Sequence, residues 1–214
     1  MDLIHFLLEF LKDPLTVLQG FLDQYQELTY GILFLVIFVE TGFIIMPILP
    51  GDSLLFAVGL LAATTGKIAL TIVIPLLIVA ALLGDNLNYF VGRKFGNFIK
   101  SKEKILFLKR EYITQTEAFY EKHGGKAVIL ARFMPIIRTI APFVAGAGSM
   151  TYGKYILNCI IGAILWVTSI TLLGYFLGNN EFVKHNFEKV VLGIVFVSIA
   201  PMIWGIIKVK FPKK

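Results

Sequence analysis

Four charged residues interrupt stretches that are otherwise greasy. Glu40 and Asp52 stand in ETGFIIMPILPGDSLL, and Arg132 and Arg138 in ARFMPIIRTIAPFVAGAGSM. A charge at the centre of a bilayer costs about 2.5–3.5 kcal/mol on insertion scales, so each of these needs a partner or water. Burial disfavours the charged form of a carboxyl group, which makes a buried acid a candidate proton carrier. Guanidinium groups keep their charge, and their forked donors match phosphate oxygens. Arg132 and Arg138 are therefore candidate phosphate ligands, with Glu40 and Asp52 as the proton-coupling pair. Each has a plainer use. Asp52 suits the N-cap of the helix that SLLFAVGLL predicts, and Arg132 could snorkel to the membrane surface. Arg138 could bridge to Glu40 or Asp52, and a bridge that opens when phosphate arrives is a switch. In GDNLNYFVGRKFG, Asp85 and Tyr89 lie one helical turn apart. Asp85 is either a third titratable group or the partner of Arg93, and the sequence leaves both open.

Other chemistries find no support. His5, His123 and His185 are far apart, so neither a metal site nor a histidine phosphatase is expected. The single Cys159 excludes an internal disulfide. AGAGSM only loosely resembles a hydrolase elbow, with no base placed to serve Ser149. The expectation is a non-enzyme without cofactor. Trp166 and Trp204 read as bilayer-facing or packing residues.

The elements that must carry these residues follow from hydropathy. Of 214 residues, 57% are hydrophobic and 16% charged, against roughly 45–50% and 25% in soluble domains. Mean hydropathy is +0.80. The chain reads as one all-α polytopic membrane domain over residues 1–214. Residues 1–27 read as an interfacial helix region, 30–63 as a broken apolar segment, 68–91 as a span, 127–148 as a second broken segment, and 153–178 and 190–207 as spans. The breaks are Pro47, Pro50 and Gly51 in the first broken segment, and Pro135 and Pro142 in the second. Gly92 and Gly96 predict close helix packing, and His123-Gly124-Gly125 a helix end.

Charge sets the orientation. Residues 93–126 read as a basic loop, with nine bases against four acids, and the tail KVKFPKK adds four lysines. By the positive-inside rule both are cytoplasmic, where anionic phospholipids rather than nucleic acid are their partners. Parity then requires 127–148 to enter and leave on the inner side, and 30–63 on the outer side. The result is two inverted re-entrant hairpins, each followed by a span, an arrangement typical of secondary transporters. Broken backbone at membrane depth is tolerated where it is buried in protein or lines a wet cavity.

FVETGFIIMPILPGDSLLF, GDNLNYFVGRKFG and FYEKHGGKAVILARFMPIIRTIAPFVAGAGSM, in that order, resemble the bacterial DedA family of VTT (SNARE-associated-like) membrane proteins. The likeness covers roughly residues 1–205. It implies an inner-membrane protein with facing re-entrant hairpins, whose family-essential acids match Glu40 and Asp52 and whose arginines match Arg132 and Arg138. It also implies undecaprenyl phosphate as the substrate to be returned across the membrane. The other activities implied are membrane-potential homeostasis with resistance to cationic compounds, and movement of phosphatidylethanolamine. The expected function is a proton-coupled lipid-phosphate flippase, against a proton-dependent cation or drug antiporter. Homo-oligomerisation stays open.

Overall fold

The computed structural model describes residues 19–20, 22–43, 51–100, 104–105, 108–148, 150–178 and 180. The predicted breaks Pro47 and Pro50, most of the N-terminal region and the expected span at 190–207 lie outside them. The helices are α1 (Gln26–Gly42), α2 (Gly51–Thr65), α3 (Leu70–Lys100), α4 (Arg110–His123), α5 (Lys126–Ala131), α6 (Pro135–Ala147) and α7 (Tyr152–Gly178). Between α3 and α4, β1 (Lys104–Ile105) and β2 (Leu108–Lys109) form a small antiparallel ladder.

Local chemistry accounts for the helix ends. Thr64 and Thr65 turn their hydroxyls back on the carbonyls of Leu60 and Leu61, at 2.9 and 2.6 Å. Gly66 then takes φ +65°, the left-handed conformation that glycine adopts without Cβ strain. The same device at Gly124 (φ +58°) ends α4, as the sequence predicts. Pro135 opens α6, where its missing N–H costs nothing.

Two boundaries need correction. The span expected at 68–91 continues as one helix to Lys100, because nothing in VGRKFGNFIK forbids helix and Gly92 is used for packing. Much of the stretch expected as a basic loop is therefore helical. Pro142, expected to break the second hairpin, lies inside α6 without reversing the chain. The break falls instead on residues 132–134, a turn just before Pro135.

Contacts fix the helix directions. Ala69 donates its N–H to Tyr30 Oη at 3.0 Å, and Gly42 packs on Gly84 and Leu87, so α1 and α3 run parallel. Gly125 meets Asn158 and Gly162 meets Ile129, so α5 and α7 run parallel. Helices α3 and α7 are antiparallel: Tyr155 Oη donates to the Asp85 carbonyl at 2.9 Å, and Tyr152 Oη to Asn86 Oδ1 at 2.7 Å. The most extensive interfaces cross over, α2 on α7 and α6 on α3. Each is made by a reciprocal pair of glycines. Gly59 lies against the Thr171 carbonyl and Gly174 against that of Phe56. Gly92 lies against the Phe143 carbonyl and Gly146 against that of Tyr89. Both crossing pairs run parallel, since Asp52 meets Trp166 and Ala63 meets Gly178, and Asn88 meets Thr139 and Arg93 meets Gly146, so the chain reverses between α1 and α2, and again between α5 and α6. The reversals lie level with the middles of α3 and α7.

Helix α2 is buried on nearly every side, whereas α3 and α7 expose apolar side chains outward. Ile72, Leu157 and Phe176 are 58%, 59% and 68% exposed. Apolar outside with charge inside is the pattern of a protein whose solvent is lipid. Helices Leu70–Phe95 and Tyr152–Gly178 are each long and apolar enough to cross a membrane.

A side chain at Gly59 would drive its Cβ into the Thr171 carbonyl, whereas Gly153 has open space around it. Overpacking of this kind typically costs ~1–3 kcal/mol. Gly59→Val should lower the thermal midpoint of detergent-solubilised protein, followed by size-exclusion chromatography after heating, while Gly153→Ala leaves it unchanged.

Candidate functional site

All four charged residues singled out in the sequence converge where the two reversals meet. Glu40 comes from the end of α1, Asp52 from the first turn of α2, Arg132 from the turn after α5, and Arg138 from the first turns of α6. Arg138 is held from two sides: Nη1 donates to Asp52 Oδ1 at 2.8 Å and Nη2 to Glu40 Oε1 at 2.5 Å. The bridge predicted for Arg138 forms with both acids at once. Glu40 and Arg138 are buried, and Asp52 remains partly exposed. Capping falls elsewhere than expected, since Glu40 Oε1 accepts the N–H of Gly51 at 3.2 Å. That is the amino end of α2, where an anion is favoured. Gly51 is required for it, because a Cβ there would overlap the Glu40 carboxylate.

Arg132 does not snorkel. It is 4% exposed and donates through Nη2 to Asp85 Oδ2, which is equally buried. Asp85 therefore pairs with Arg132, not with Arg93. Pairing the two across the bundle removes both charges from lipid; Arg93, two turns further along α3, already reaches an exposed surface. Cys159 Sγ lies 3.8 Å from the same Asp85 oxygen. Tyr89 lies near this pair without joining it: its hydroxyl donates to the Met150 carbonyl at 3.1 Å. Asn88 ties the layers together, donating to the carbonyls of Thr139 at 2.8 Å and Thr41 at 3.4 Å.

Trp166 belongs to this centre, contrary to the packing role the sequence suggested. It is fully buried, and its indole Nε1 donates to Asp52 Oδ1 at 2.7 Å. The Arg138 and Arg132 guanidinium carbons lie 4.7 and 6.0 Å from the ring centroid, within cation–π range. The ring thus touches both charge clusters. Nothing local marks it, because TM helices use tryptophan equally for interfaces.

Even so, donors are left over. Among the described residues, Arg132 Nε and Nη1 and Arg138 Nε are buried without a hydrogen-bond partner, as is Glu40 Oε2. Unpaired guanidinium N–H groups in an apolar surround are costly by themselves and suited to an incoming oxyanion.

A helical bundle that faces outward with leucine, isoleucine and phenylalanine while gathering five charges at its centre is an integral membrane protein with a polar core. The sequence gives its kinship. Residues 49–176 match the VTT domain. Over 211 residues the chain is 44% identical to Protein DedA of Escherichia coli K12, covering 98% of this chain and 96% of the relative. It is 49% identical over 166 residues to an uncharacterized membrane protein of Mycobacterium leprae (78% and 74% covered). It is also 32% identical over 178 residues to the inner membrane protein YqjA of Escherichia coli K12 (83% and 80%). No solved structure matches the chain. The chain belongs to the DedA family of bacterial membrane proteins.

Removing one member of a buried ion pair strands the other, typically at ~3–5 kcal/mol. Asp85→Asn and Arg132→Gln should each lower stability on that scale in denaturant titrations, and the double variant should cost clearly less than their sum. Trp166→Phe keeps a ring against the guanidiniums but removes the donor to Asp52. The expected loss is ~1.5–3 kcal/mol, the range for a hydrogen bond to a charged group, and it should vanish in the Asp52→Ala background, which removes the acceptor.

Proposed function

We propose that the protein is a proton-coupled transporter of a lipid phosphate, undecaprenyl phosphate being the substrate that the family resemblance suggests. The observation carrying this reading is the joint burial of Arg132 and Arg138 with unpaired N–H groups beside acids that can release them. Three carboxylates (Glu40, Asp52, Asp85) face two guanidiniums, a formal charge of −1 when all are ionised. Adding a phosphate anion to that centre deepens the negative charge in a low-dielectric interior, which is unfavourable unless carboxylates take up protons. Protonation of Glu40 and Asp52 would also free Arg138 to accept phosphate oxygens in bidentate fashion. Phosphate binding and proton uptake are thus linked, and release of the proton restores the Arg138 bridges and expels the anion. The polyprenyl tail stays in lipid beside the protein. No nucleophile or general base is needed, so the reading is transport rather than catalysis.

In the same reading the reversals are re-entrant hairpins. At 1.5 Å per residue, α2 and α6 are about 22 and 20 Å long, short of the ~30 Å hydrocarbon core. Their tips meet beside the middles of two spanning helices. The basic end of α3 and the C-terminus then lie on the cytoplasmic side of one membrane domain in the inner membrane.

The excess of acid over base at the centre favours a second reading, a proton-dependent antiporter of cations in which Glu40 and Asp52 bind the substrate. Proteoliposomes separate the two. Under the first reading, farnesyl phosphate is transported, its affinity rises as pH falls from 8 to 6, and Glu40→Gln flattens that rise. Arg138→Gln should abolish transport and the pH-dependent part of the binding. Proton-driven cation flux without any lipid phosphate, with the pH-dependent binding of farnesyl phosphate intact in Arg138→Gln, would overturn it.

A further inference from the structure

A second polar feature lies outside the charged centre. At the carboxyl ends of α3 and α6, beside the start of α7, an open cavity of about 500 Å³ is lined by Tyr89, Arg93, Gly146, Gly148, Thr151 and Tyr152, among others. Its construction is specific. Gly92 and Gly146 bring the α3 and α6 backbones into contact, so the floor is main chain rather than side chain. Tyr89 forms a rigid wall: its ring stacks on Tyr155 with centroids 4.4 Å apart and lies 5.5 Å from Tyr152. The hydroxyls that could have filled the cavity are used elsewhere, Tyr89 on the Met150 carbonyl at 3.1 Å and Tyr152 on Asn86 at 2.7 Å.

Arg93 is the charged residue of this lining. It is exposed and has no ion-pair partner among the described residues. Among the described residues the cavity therefore offers one free guanidinium and no opposing carboxylate, unlike the centre, where acids outnumber arginines. Immediately outside, α3 exposes Phe90 and Phe95, an apolar flank along which a lipid tail can lie while its head enters.

We propose that this cavity is a separate anion site for the phosphate monoester head of a single-chain amphiphile, an outer station in the sense of peripheral to the buried arginines, with which it exchanges lipid phosphate on the cytoplasmic side. The proposal extends the transport reading above. The two sites are close but distinct. Arg93 is eight residues along α3 from Asp85, about 12 Å at the helical rise. Between them stands the Tyr89–Tyr155 stack, and the Tyr155 hydroxyl donates to the Asp85 carbonyl at 2.9 Å. Loading the outer site requires no proton, because the lining charge among the described residues is positive. Passage inward does, because the centre is acid-rich. The division lets the head group wait in a positive, wet vestibule until the inner carboxylates are neutralised.

Native mass spectrometry of the full chain from detergent micelles tests this, with farnesyl phosphate, farnesol and inorganic phosphate as probes. Wild type should hold two farnesyl phosphates per chain. Arg93→Gln should weaken one of them about tenfold or more, and Arg93→Lys should recover part of the loss, since charge is kept while the fork is lost. Arg138→Gln should remove the other and keep the Arg93-dependent one. Loss of binding in Arg93→Gln alone, with Arg138→Gln unchanged, would uphold the outer site and reject the transport centre. Equal stoichiometry and affinity in Arg93→Gln and wild type would overturn the outer site, as would farnesol binding as well as farnesyl phosphate. Displacement of farnesyl phosphate by an equal concentration of inorganic phosphate would keep the anion site but assign it to the free ion.

Discussion

The two-sided grip on Arg138 constrains the rest of the molecule. A guanidinium cannot shed its charge, and in an apolar interior it persists only with counter-charges and hydrogen bonds of good geometry. Glu40 and Asp52 supply both, from opposite arms of the first chain reversal, while Arg138 comes from the second. Unless both reversals bring their tips together at the same depth, at least three charges are stranded. The helix packing is arranged to deliver that meeting. Glu40 closes the amino end of α2 through the Gly51 N–H, so one carboxylate positions a helix and neutralises an arginine. Asp52 is shared between Arg138 and Trp166, which fixes the indole between the two arginines.

Reciprocity of the packing has the same origin. The second arm of each reversal lies against the long helix of the other half, α2 on α7 and α6 on α3, and each contact is closed by a glycine from either side. Lipid chains are as apolar as leucine, so helices in a bilayer associate through close backbone approach rather than by escaping water. Small residues placed in pairs provide that approach. They also leave backbone, not side chain, at the floor of the cavity next to Arg93. Packing and a polar vestibule arise there from one choice of residue.

The buried centre is unusual in leaving donors over. Arg132 has Nε and Nη1 unpaired among the described residues, although Asp85 holds its Nη2. A static membrane protein could satisfy these groups with a backbone carbonyl or a neighbouring amide. Keeping them unsatisfied in the interior costs stability, which is reasonable where another oxyanion completes the set during the working cycle. The acid excess acts in the opposite sense: under the proposed reading, an anion enters the centre only once protons have arrived.

Much of this was legible in the sequence. Glu40, Asp52, Arg132 and Arg138 stand out because a charge within an apolar run is costly wherever the chain goes, and that cost does not depend on fold. The helix end at His123 follows from local glycine chemistry, and the two spans among the described residues from hydropathy. Pairing was legible only in part: a bridge from Arg138 to Glu40 or Asp52 was expected, that of Arg132 to Asp85 was not. Asp85 reaches Arg132 rather than Arg93, 47 residues distant rather than eight, because partners are chosen by which helices lie side by side. Pro142 could not be told from a break, since a proline inside a helix and one that ends it look alike until the neighbouring helices are placed. Trp166 carried no signal at all. The sequence by itself determined which charges must be buried and which segments are apolar enough to bury them. Tertiary structure alone decided which acid neutralises which arginine, and that an indole from the last described helix joins them, because those contacts depend on distances between chain segments that no local pattern encodes.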